Sequence, residues 1–457
     1  MSETQILASY VVNGRLADIP QNVLHQARRS LVNFMGCAIG GAGDEAVDIA
    51  MRTFRPFSGV PTANVLGRAE RLDPLHASLM NGISSHVYDY DDTTPKNYSH
   101  PTCTVAAALF AYASVNPVRG RDFMEAFIYG FEVSSRVANC VYPTHYDFGW
   151  HITGTAGVFG AAAAIGKLLR LDEQQMIWAL GLAGTQAAGV REMFGSMGKA
   201  FHPGRSAQNG YGAALLAQAG FTSGPHVLES PRGFSAVTTG GRFNLANVTR
   251  GLGVEFDLLA NTYKPYPCGI VNHPTIDGAV RLHDQYGFTP SDITAVRLRV
   301  APLVLDLCNQ QGITKGLQGK FSVYHGAAIG LVRGKAGVQE YTDAAVNDPD
   351  IKRVREAATA TGDPGITEDQ ARVEVELTDG RTLSVFVEQS LGNIHKPLSD
   401  RQLDEKFRDQ AVVNLPAADV ERLIEMCWKI EELDDVNEVV HAAVPASARS
   451  GSHAVTA

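Results

Sequence analysis

The chain has 457 residues, 45% of them hydrophobic and 19% charged. This is typical of a globular protein with a sizeable core and roughly two to three domains, or one large domain with an appended one. The formal net charge is −9 without any basic run, which argues against nucleic acid and anionic membrane as partners. The six cysteines are far apart and form no Cys-x-x-Cys pair, so neither a disulfide framework nor a metal cluster is expected, and a reducing compartment fits best.

The sequence gives no sign of export or membrane insertion. Its first residues lack a basic stretch followed by an apolar core, so no signal peptide is expected. The longest apolar runs, 104–115 and 157–166, are too short to span a bilayer. We therefore expect a cytoplasmic protein.

Helical patterns dominate the first 260 residues. Asp18-Ile-Pro20 is typical of a helix start and precedes a helix over 21–40. Asp172 is suited to cap the last helix of this part. The further helices are expected over 75–89, 101–115, 121–141 and 172–188.

Strand patterns appear after residue 290. Residues 293–300 alternate as a half-buried strand does, and 371–387 predict two strands joined by an Asp-Gly turn. The other predicted elements are helices over 273–286, 322–333, 400–409 and 417–433, with a polar stretch over 343–369.

These elements predict a mainly α fold. A large all-helical domain is built from both chain ends, 1–268 and 394–457, and a smaller α+β lid domain spans 269–393. A cleft between two such units is the expected place for a ligand.

The segment 85–101 concentrates titratable side chains between two helical patterns. It holds Asp89, Asp91 and Asp92, and such density costs stability unless the groups are paired or used. A calcium loop is disfavoured because the central Gly is absent and His100 stands where a bidentate Glu is required. We expect Asp89 to orient the His100 imidazole for proton exchange. For Asp91 and Asp92, capping the helix and binding backbone N–H groups is an equal alternative.

A glycine string over 150–160 follows no strand and lacks Gly-Lys-Ser/Thr, so a nucleotide-binding loop is disfavoured. Its glycines are expected to let two helices approach closely. His151, just before that helix, either acts on a ligand or caps the helix.

Lys199, His202 and Arg205 fall within seven residues in the glycine-rich stretch 195–206. This suits carboxylate recognition, because Arg binds a carboxylate bidentately and Lys acts as a point charge. A solvated basic loop is the alternative.

The stretch 264–269, where the composition switches, is expected to be an interdomain hinge. A thiol beside a cationic group, as in Cys268 and Lys264, is a competent acid, base or nucleophile, although an isolated cysteine is more often buried filler. Tyr324 by itself is an ordinary half-buried tyrosine. The sequence contains neither Gly-x-Ser-x-Gly nor His-Glu-x-x-His, so hydrolase and zinc functions lose their usual support.

In this order the motifs resemble the MmgE/PrpD family across nearly the whole chain. That family includes 2-methylcitrate dehydratase, cis-aconitate decarboxylase and iminodisuccinate epimerase. The matching segments are His86-Val-Tyr-Asp-Tyr-Asp-Asp-Thr93, His100-Pro101, the Gly/Ala-rich helix after His151, Gly198-Lys-Ala-Phe-His-Pro-Gly204, Lys264-Pro-Tyr-Pro267 and Phe321-Ser-Val-Tyr324.

The resemblance implies a large helical domain with a smaller α+β lid, usually in a homodimer, and no required metal or organic cofactor. It carries the active-site positions onto Asp89, Thr93, His100, His151, Lys199, Lys264 and Tyr324. The decarboxylase branch also has a histidine two residues after the proline of its Lys-x-x-Pro motif. Here that position is Gly269, preceded by Cys268.

Together these features predict an enzyme that removes a proton α to a carboxylate of a small di- or tricarboxylate. The expected catalytic groups are His100, His151, Asp89, Lys199, Tyr324 and Cys268, and the expected substrate-binding groups are Thr93, Lys264, Arg205 and His202. Because Cys268 beside the missing histidine would supply a second acid/base group, we expect an epimerase of the iminodisuccinate type. The alternatives are a dehydratase or decarboxylase-like lyase, and a non-catalytic small-anion binding protein.

Overall fold

Helices make up most of the computed structural model, which describes residues 1–446. The helices are α1 (Glu3–Asn13), α2 (Gln21–Gly41), α3 (Glu45–Phe54), α4 (Pro74–His86), α5 (Pro101–Ala113), α6 (Gly120–Val141), α7 (Thr144–Asp147), α8 (Ile152–Leu168), α9 (Glu173–Gly184), α10 (Gly198–Gln218), α11 (Phe234–Thr239), α12 (Ala246–Thr249), α13 (His273–Gln285), α14 (Pro302–Cys308), α15 (Gly316–Gly319), α16 (Val323–Arg333), α17 (Asp343–Val346), α18 (Pro349–Glu356), α19 (Asp400–Ala411), α20 (Ala417–Trp428) and α21 (Asn437–Ala442). The strands are β1 (Ala63–Asn64), β2 (Arg71–Leu72), β3 (Asp92–Thr93), β4 (Thr262–Tyr263), β5 (Ile293–Val300), β6 (Ala358–Gly362), β7 (Ala371–Leu377) and β8 (Thr382–Val387).

Buried apolar side chains form two clusters. The larger one draws on residues 7–263 and 398–443, so it joins helices from both chain ends. The smaller one draws on residues 268–383 and includes the longer strands. The predicted mainly α fold with a small α+β part is confirmed, whereas the exact domain boundaries stay a prediction. No helix within residues 1–446 has the length and apolar character needed to cross a membrane.

The main sheet has the strand order β6-β5-β7-β8, with β6 parallel to β5 and the other pairs antiparallel. Along β7 the residues Ala371, Val373, Val375 and Leu377 are buried, and α13 packs against β7 and β8. Gly380 takes a φ of 87° in the turn between β7 and β8, a conformation that favours glycine. The period-2 pattern therefore sets one face of the hairpin against the second cluster.

Helices α4 and α10 touch backbone to backbone. A Cβ atom added to Gly204 would lie 2.4 Å from the carbonyl oxygen of Leu79, and one added to Gly82 would lie 2.5 Å from Cα of Gly204. Only glycine permits this approach. It brings Lys199, in the first turn of α10, next to the C-terminal end of α4. The basic stretch thus forms the start of a helix rather than a solvated loop.

Glycines also bring α8 close to its neighbours, as the sequence predicts. A Cβ on Gly157 would lie 2.5 Å from Cγ2 of Thr104 in α5, and one on Gly160 would lie 2.7 Å from the carbonyl oxygen of Gly130 in α6. His151 stands at the N-cap position of α8. The packed helix therefore fixes where the His151 backbone lies.

Candidate active site

A short strand pair joins the two halves of the site. β3 pairs antiparallel with β4, with Asp92 opposite Tyr263 and Thr93 opposite Thr262. Lys264 directly follows β4, and the same pairing therefore sets it beside the turn that links α4 to β3.

Asp89, in that turn, is the centre of a buried charge cluster. Its Oδ1 atom accepts hydrogen bonds from Nζ of Lys199 at 2.7 Å and from Nζ of Lys264 at 2.6 Å, and all three residues are buried. Burial alone would raise the pKa of the Asp89 carboxyl, but the charges of Lys199 and Lys264 outweigh it and hold that pKa well below its ordinary value. Two ammonium groups thus share the one carboxylate that they bind directly.

His86 extends this cluster to a second carboxylate. Its Nδ1 lies 2.9 Å from both carboxylate oxygens of Asp91, and its Nε2 lies 3.0 Å from Nζ of Lys199. Because an ammonium only donates, Nε2 accepts and the proton sits on Nδ1, which donates to Asp91. Burial lowers the pKa of His86 in spite of the Asp91 charge. Asp91 therefore orients an imidazole that in turn orients Lys199.

His100 is held as a neutral imidazole. Its Nδ1 donates to the backbone carbonyl of Asp92 at 2.7 Å and lies 3.1 Å from Oγ1 of Thr93. With that proton on Nδ1, Nε2 carries a free lone pair. Burial, with Lys264 adding to it against the Asp91 charge, moves the pKa of His100 well below its ordinary value. The ring is therefore uncharged at neutral pH, with Nε2 as the nitrogen that can accept a proton.

His151 is also neutral, and it has one unused nitrogen. Its Nδ1 lies 2.8 Å from Nδ1 of His202, so His202 fixes the ring from behind. Its Nε2 is buried and has no hydrogen-bond partner among the described residues. Burial and the charge of Lys199 hold the pKa of His151 well below its ordinary value. A buried, unsatisfied nitrogen costs free energy unless a ligand completes it.

These groups border a small cavity of about 40 Å³. It is lined by Asp89, Thr93, Tyr98, His100, Tyr146, His151, Phe194, Lys199, Lys264, Gly269, Ile270, Val271, Leu307, Cys308 and Phe321. Pockets that take small ligands usually measure about 300 Å³ or more. The rings of Phe194 and Phe321 stack with centroids 5.5 Å apart and lie over the Lys199 ammonium. The cavity as it stands is therefore smaller than a di- or tricarboxylate needs, and its lining has to move apart for such a ligand to bind.

Four predicted site residues lie outside the cavity lining. The buried hydroxyl of Tyr324 donates to Oδ1 of Asn309 at 2.7 Å. The buried thiol of Cys268 points to the carbonyl of Gly269 at 3.7 Å. His202 lies behind His151, and the exposed Arg205 donates to Gln208 at 2.5 Å.

The helix period explains why Arg205 is separated from Lys199. Each α-helical residue turns the side chain by about 100°, so Lys199 and His202, three apart, share a face of α10. Arg205, six residues from Lys199, points about 120° away. A substrate-binding role for Arg205 therefore has no support from its position.

The structure adds Cys308, which sequence reasoning missed. A Cβ atom at Gly269 would lie 2.9 Å from the Cys308 sulfur, so the thiol fills the space into which a side chain at 269 would extend. Burial raises the pKa of Cys308 well above its ordinary value, which keeps the thiol protonated. No local motif marks this cysteine, because the contact joins residues far apart in sequence.

The imidazole groups also resemble a metal-binding set. Ligand atoms of His86, His100 and His151 lie within 4.8 Å of one another, as do those of His86, Asp89, Asp91 and His100. However, both ring nitrogens of His86 are engaged by Asp91 and Lys199. The ammonium groups of Lys199 and Lys264 would also repel a cation. The donor set therefore suits a small anion better than a metal ion.

The pocket combines buried ammonium groups with neutral imidazoles in a mainly α fold, a set of donors suited to a small anion. A family model described as the MmgE/PrpD N-terminal domain matches residues 5–246, and one described as the MmgE/PrpD C-terminal domain matches residues 266–431. The chain belongs to the MmgE/PrpD family.

Curated relatives match almost end to end. The chain is 25% identical over 453 residues to a protein named cis-aconitate decarboxylase from Homo sapiens, covering 95% of this chain and 93% of that protein. It is 25% identical over 465 residues to a cis-aconitate decarboxylase from Aspergillus terreus, covering 96% of this chain and 95% of that protein. It is 22% identical over 466 residues to a 2-methylcitrate dehydratase from Salmonella typhimurium, covering 94% of this chain and 95% of that protein.

Proposed function

We propose that this chain is a lyase that acts on a small di- or tricarboxylate and moves a proton at a carbon next to a carboxylate. The observation that carries the proposal is Asp89 bound by two buried ammonium groups, beside the neutral imidazoles of His100 and His151, of which the His151 Nε2 has no hydrogen-bond partner among the described residues. The names of the relatives, a decarboxylase and a dehydratase, support a lyase and give no support to the iminodisuccinate epimerase that the sequence favoured.

In this proposal Lys199 and Lys264 hold the substrate carboxylate. Loss of the adjacent proton sends negative charge into that carboxylate, and preorganised ammonium groups stabilise this charge as it develops. His100 or His151 accepts the proton at Nε2. Proton transfer to a positioned side chain of this kind contributes roughly 10²- to 10⁴-fold to a rate.

The second half of the reaction needs an acid. In a dehydration the C–H bond breaks, a carbon–carbon double bond forms, and the β-hydroxyl leaves as water with a proton from the acid. In a decarboxylation the carbon–carboxylate bond breaks, CO₂ leaves, and the acid protonates the carbon. The Cys308 thiol, which borders the cavity at Gly269, is a candidate acid because burial keeps it protonated.

Epimerisation is the second candidate, and one observation favours it. The rings of His100 and His151 lie 6.4 Å apart, centroid to centroid, at an interplanar angle of 70°. Two neutral bases at that separation could face opposite sides of one carbon. The glycine at 269, where the decarboxylase branch carries a histidine, removes a proton donor or acceptor of that branch and so counts against decarboxylation rather than for epimerisation.

Nuclear magnetic resonance in D₂O separates these functions. Purified protein is incubated with cis-aconitate, 2-methylcitrate and iminodisuccinate stereoisomers, each in a separate sample. A lyase gives a new carbon skeleton or an alkene, with deuterium where a proton was delivered. An epimerase gives the same skeleton with deuterium at the α-carbon. Binding of a tricarboxylate without any conversion would instead support the small-anion binding protein and overturn the lyase.

A further inference from the structure

Three consecutive backbone carbonyls around Asp89 each accept a hydrogen bond from a buried lysine. Nζ of Lys320 donates to the carbonyl of Tyr88 at 2.6 Å. Nζ of Lys264 donates to the carbonyl of Asp89 at 3.1 Å. Nζ of Lys406 donates to the carbonyl of Tyr90 at 2.6 Å. We call residues 88–90 the Asp89 turn.

The Asp89 turn has a strained backbone. Asp89 takes a φ of 52°, in the left-handed region. Non-glycine residues enter that region at a cost, and they persist there only where the surroundings hold them. The Asp89 turn therefore needs external contacts, and the three ammonium groups are such contacts.

The lysines reach the turn from distant parts of the chain. Lys264 follows β4, Lys320 follows α15, and Lys406 lies in α19. The Lys406 ammonium also donates to Oδ1 of Asn33 at 2.7 Å and stands 4.0 Å from the Tyr90 ring centroid. The turn is therefore the point where the N-terminal helices, the smaller cluster and the C-terminal helices meet.

Lys320 bonds to two turns that each carry a residue of the cavity lining, Asp89 in one and Gly269 in the other. Its ammonium donates to the carbonyl of Pro267 at 2.7 Å as well as to that of Tyr88. Its own carbonyl accepts from the backbone N–H of Gly269 at 3.0 Å. One residue therefore fixes the Asp89 turn relative to the 267–269 turn that faces it.

Burying the ammonium groups of Lys320 and Lys406 costs free energy of desolvation. The partners named above for Lys320 and Lys406 are neutral carbonyls, an amide and one aromatic ring. Burial lowers the pKa of each to about 8. An apolar side chain of the same size would avoid this desolvation cost, so stability alone does not explain the two buried ammonium groups.

We propose that Lys320 and Lys406 are positioning residues for Asp89, a role that rests on the proposed function. Their ammonium groups hold the carbonyls on either side of Asp89 and keep its backbone in the left-handed conformation. From that conformation the carboxylate meets Lys199 and Lys264 in the cavity. Neither lysine borders the cavity, so both act through the Asp89 turn.

The test compares Lys320→Met and Lys406→Met, which keep side-chain length and remove the ammonium. The matched control is Lys167→Met. Nζ of Lys167 also donates to two backbone carbonyls, those of Val11 and Gly14, at 2.7 and 2.8 Å, but away from the cavity. With a tricarboxylate that the wild type converts, kcat is expected to fall about 10- to 100-fold in both positioning variants, with a smaller change in KM. The control keeps the wild-type kcat.

A double variant separates positioning from a general structural role. In an Asp89→Asn background, adding Lys406→Met should lower the residual turnover no further, because its effect passes through Asp89. If Lys406→Met lowers turnover by the same factor in both backgrounds, the proposal is overturned.

A crystal structure of the Lys320→Met/Lys406→Met protein decides the inference without any substrate. We expect residue 89 to leave the left-handed region or its carboxylate to move away from Lys199. An unchanged Asp89 turn would overturn the positioning role. If the wild type converts none of the acids, the proposed function fails, and this structure still decides the role of the lysines. Lys320→Gln and Lys406→Gln serve for the same comparison where a Met variant does not fold.

Discussion

Nζ of Lys199 lies 2.7 Å from Oδ1 of Asp89, and both side chains are buried. The same oxygen also accepts from Lys264 at 2.6 Å. Removing one lysine therefore leaves the carboxylate paired, whereas removing the carboxylate leaves two buried ammonium groups without their shared counter-charge.

This asymmetry predicts that replacing Asp89 lowers the stability of the protein more than replacing Lys199. Asp89→Asn is expected to lower the free energy of unfolding by roughly 3–5 kcal/mol, as when a buried pair is broken. Lys199→Met should lower it less, because Lys264 still pairs with Asp89. Both variants should lose at least about 100-fold in kcat. Urea unfolding and steady-state kinetics measure the two effects, and a Lys199→Met protein less stable than Asp89→Asn would contradict the assignment.

Asp92→Asn tests the separate structural role of a neighbouring carboxyl. Oδ2 of Asp92 accepts from Thr102 and Asn261, at 2.7 and 2.8 Å, and Oδ1 has no partner among the described residues. Burial, with the Asp91 charge, raises the pKa of Asp92 from 3.8 to about 7. Between these values the folded protein keeps a proton that the unfolded chain has lost, so this group's contribution to stability falls as pH rises.

An asparagine cannot ionise, so Asp92→Asn should gain stability relative to the wild type between about pH 4 and pH 7. Above pH 7 the free energy of unfolding of Asp92→Asn should exceed that of the wild type by up to about 4 kcal/mol. Urea unfolding at pH 5 and pH 8 measures it. A difference between the two proteins that is the same at both pH values would show that Asp92 does not titrate in this way.

His100→Asn is expected to remove the base while keeping its anchor. The asparagine amide can still donate to the Asp92 carbonyl that now binds Nδ1, and the free Nε2 is lost. We expect kcat to fall about 100-fold or more. His145→Gln is the matched control, because His145 is buried and its Nε2 bonds to Thr155 at 2.7 Å outside the cavity. Equal losses in the two variants would show only that a buried histidine is needed for folding.

Because Lys406 is buried, raising the pH is expected to increase the stability of the protein and to lower its activity. Burial lowers the pKa of Lys406 from 10.5 to about 8. Between these values the unfolded chain holds a proton that the folded protein has lost, so stability rises with pH. From pH 8 to pH 10.5 the free energy of unfolding of the wild type should rise by up to about 3 kcal/mol relative to that of Lys406→Met. Over the same range the kcat of the wild type should fall, because the Lys406 ammonium loses its proton. Thermal unfolding and kinetics from pH 7 to pH 10 check both trends, and a wild type that loses stability relative to the variant would contradict the assignment.

Much of the fold could be predicted from the sequence because several elements are specified by their own local residues. Asp172 caps α9 through a capping box with Gln175, and an Asp-Gly turn joins β7 to β8. By contrast, β6 and α18 lie in the stretch 343–369, which the sequence marked only as polar. β6 reads Ala-Thr-Ala-Thr-Gly and forms through parallel pairing with β5. Its order comes from a non-local partner that no local pattern reveals.

The site residues likewise divide into those that local sequence predicts and those that depend on contacts between distant segments. Asp89, Thr93, His100, His151, Lys199 and Lys264, which sit in recognisable motifs, all border the cavity. Cys308 and Phe194 border it through contacts between distant segments, and their local sequence gives no signal. Lys320 and Lys406 act on backbone carbonyls, which no side-chain motif encodes. Homodimer formation stays a prediction from the family resemblance.

The most direct test of the central claim is turnover of a tricarboxylate by Asp89→Asn and Asp92→Asn measured side by side. The two variants carry the same chemical change three residues apart, but only Asp89 binds the Lys199 and Lys264 ammonium groups. Proton NMR of cis-aconitate and 2-methylcitrate in D₂O measures conversion and deuterium incorporation together. We predict that Asp92→Asn converts the acid that the wild type converts and that Asp89→Asn converts it at least about 100-fold more slowly. Conversion by Asp89→Asn at the wild-type rate would contradict the account.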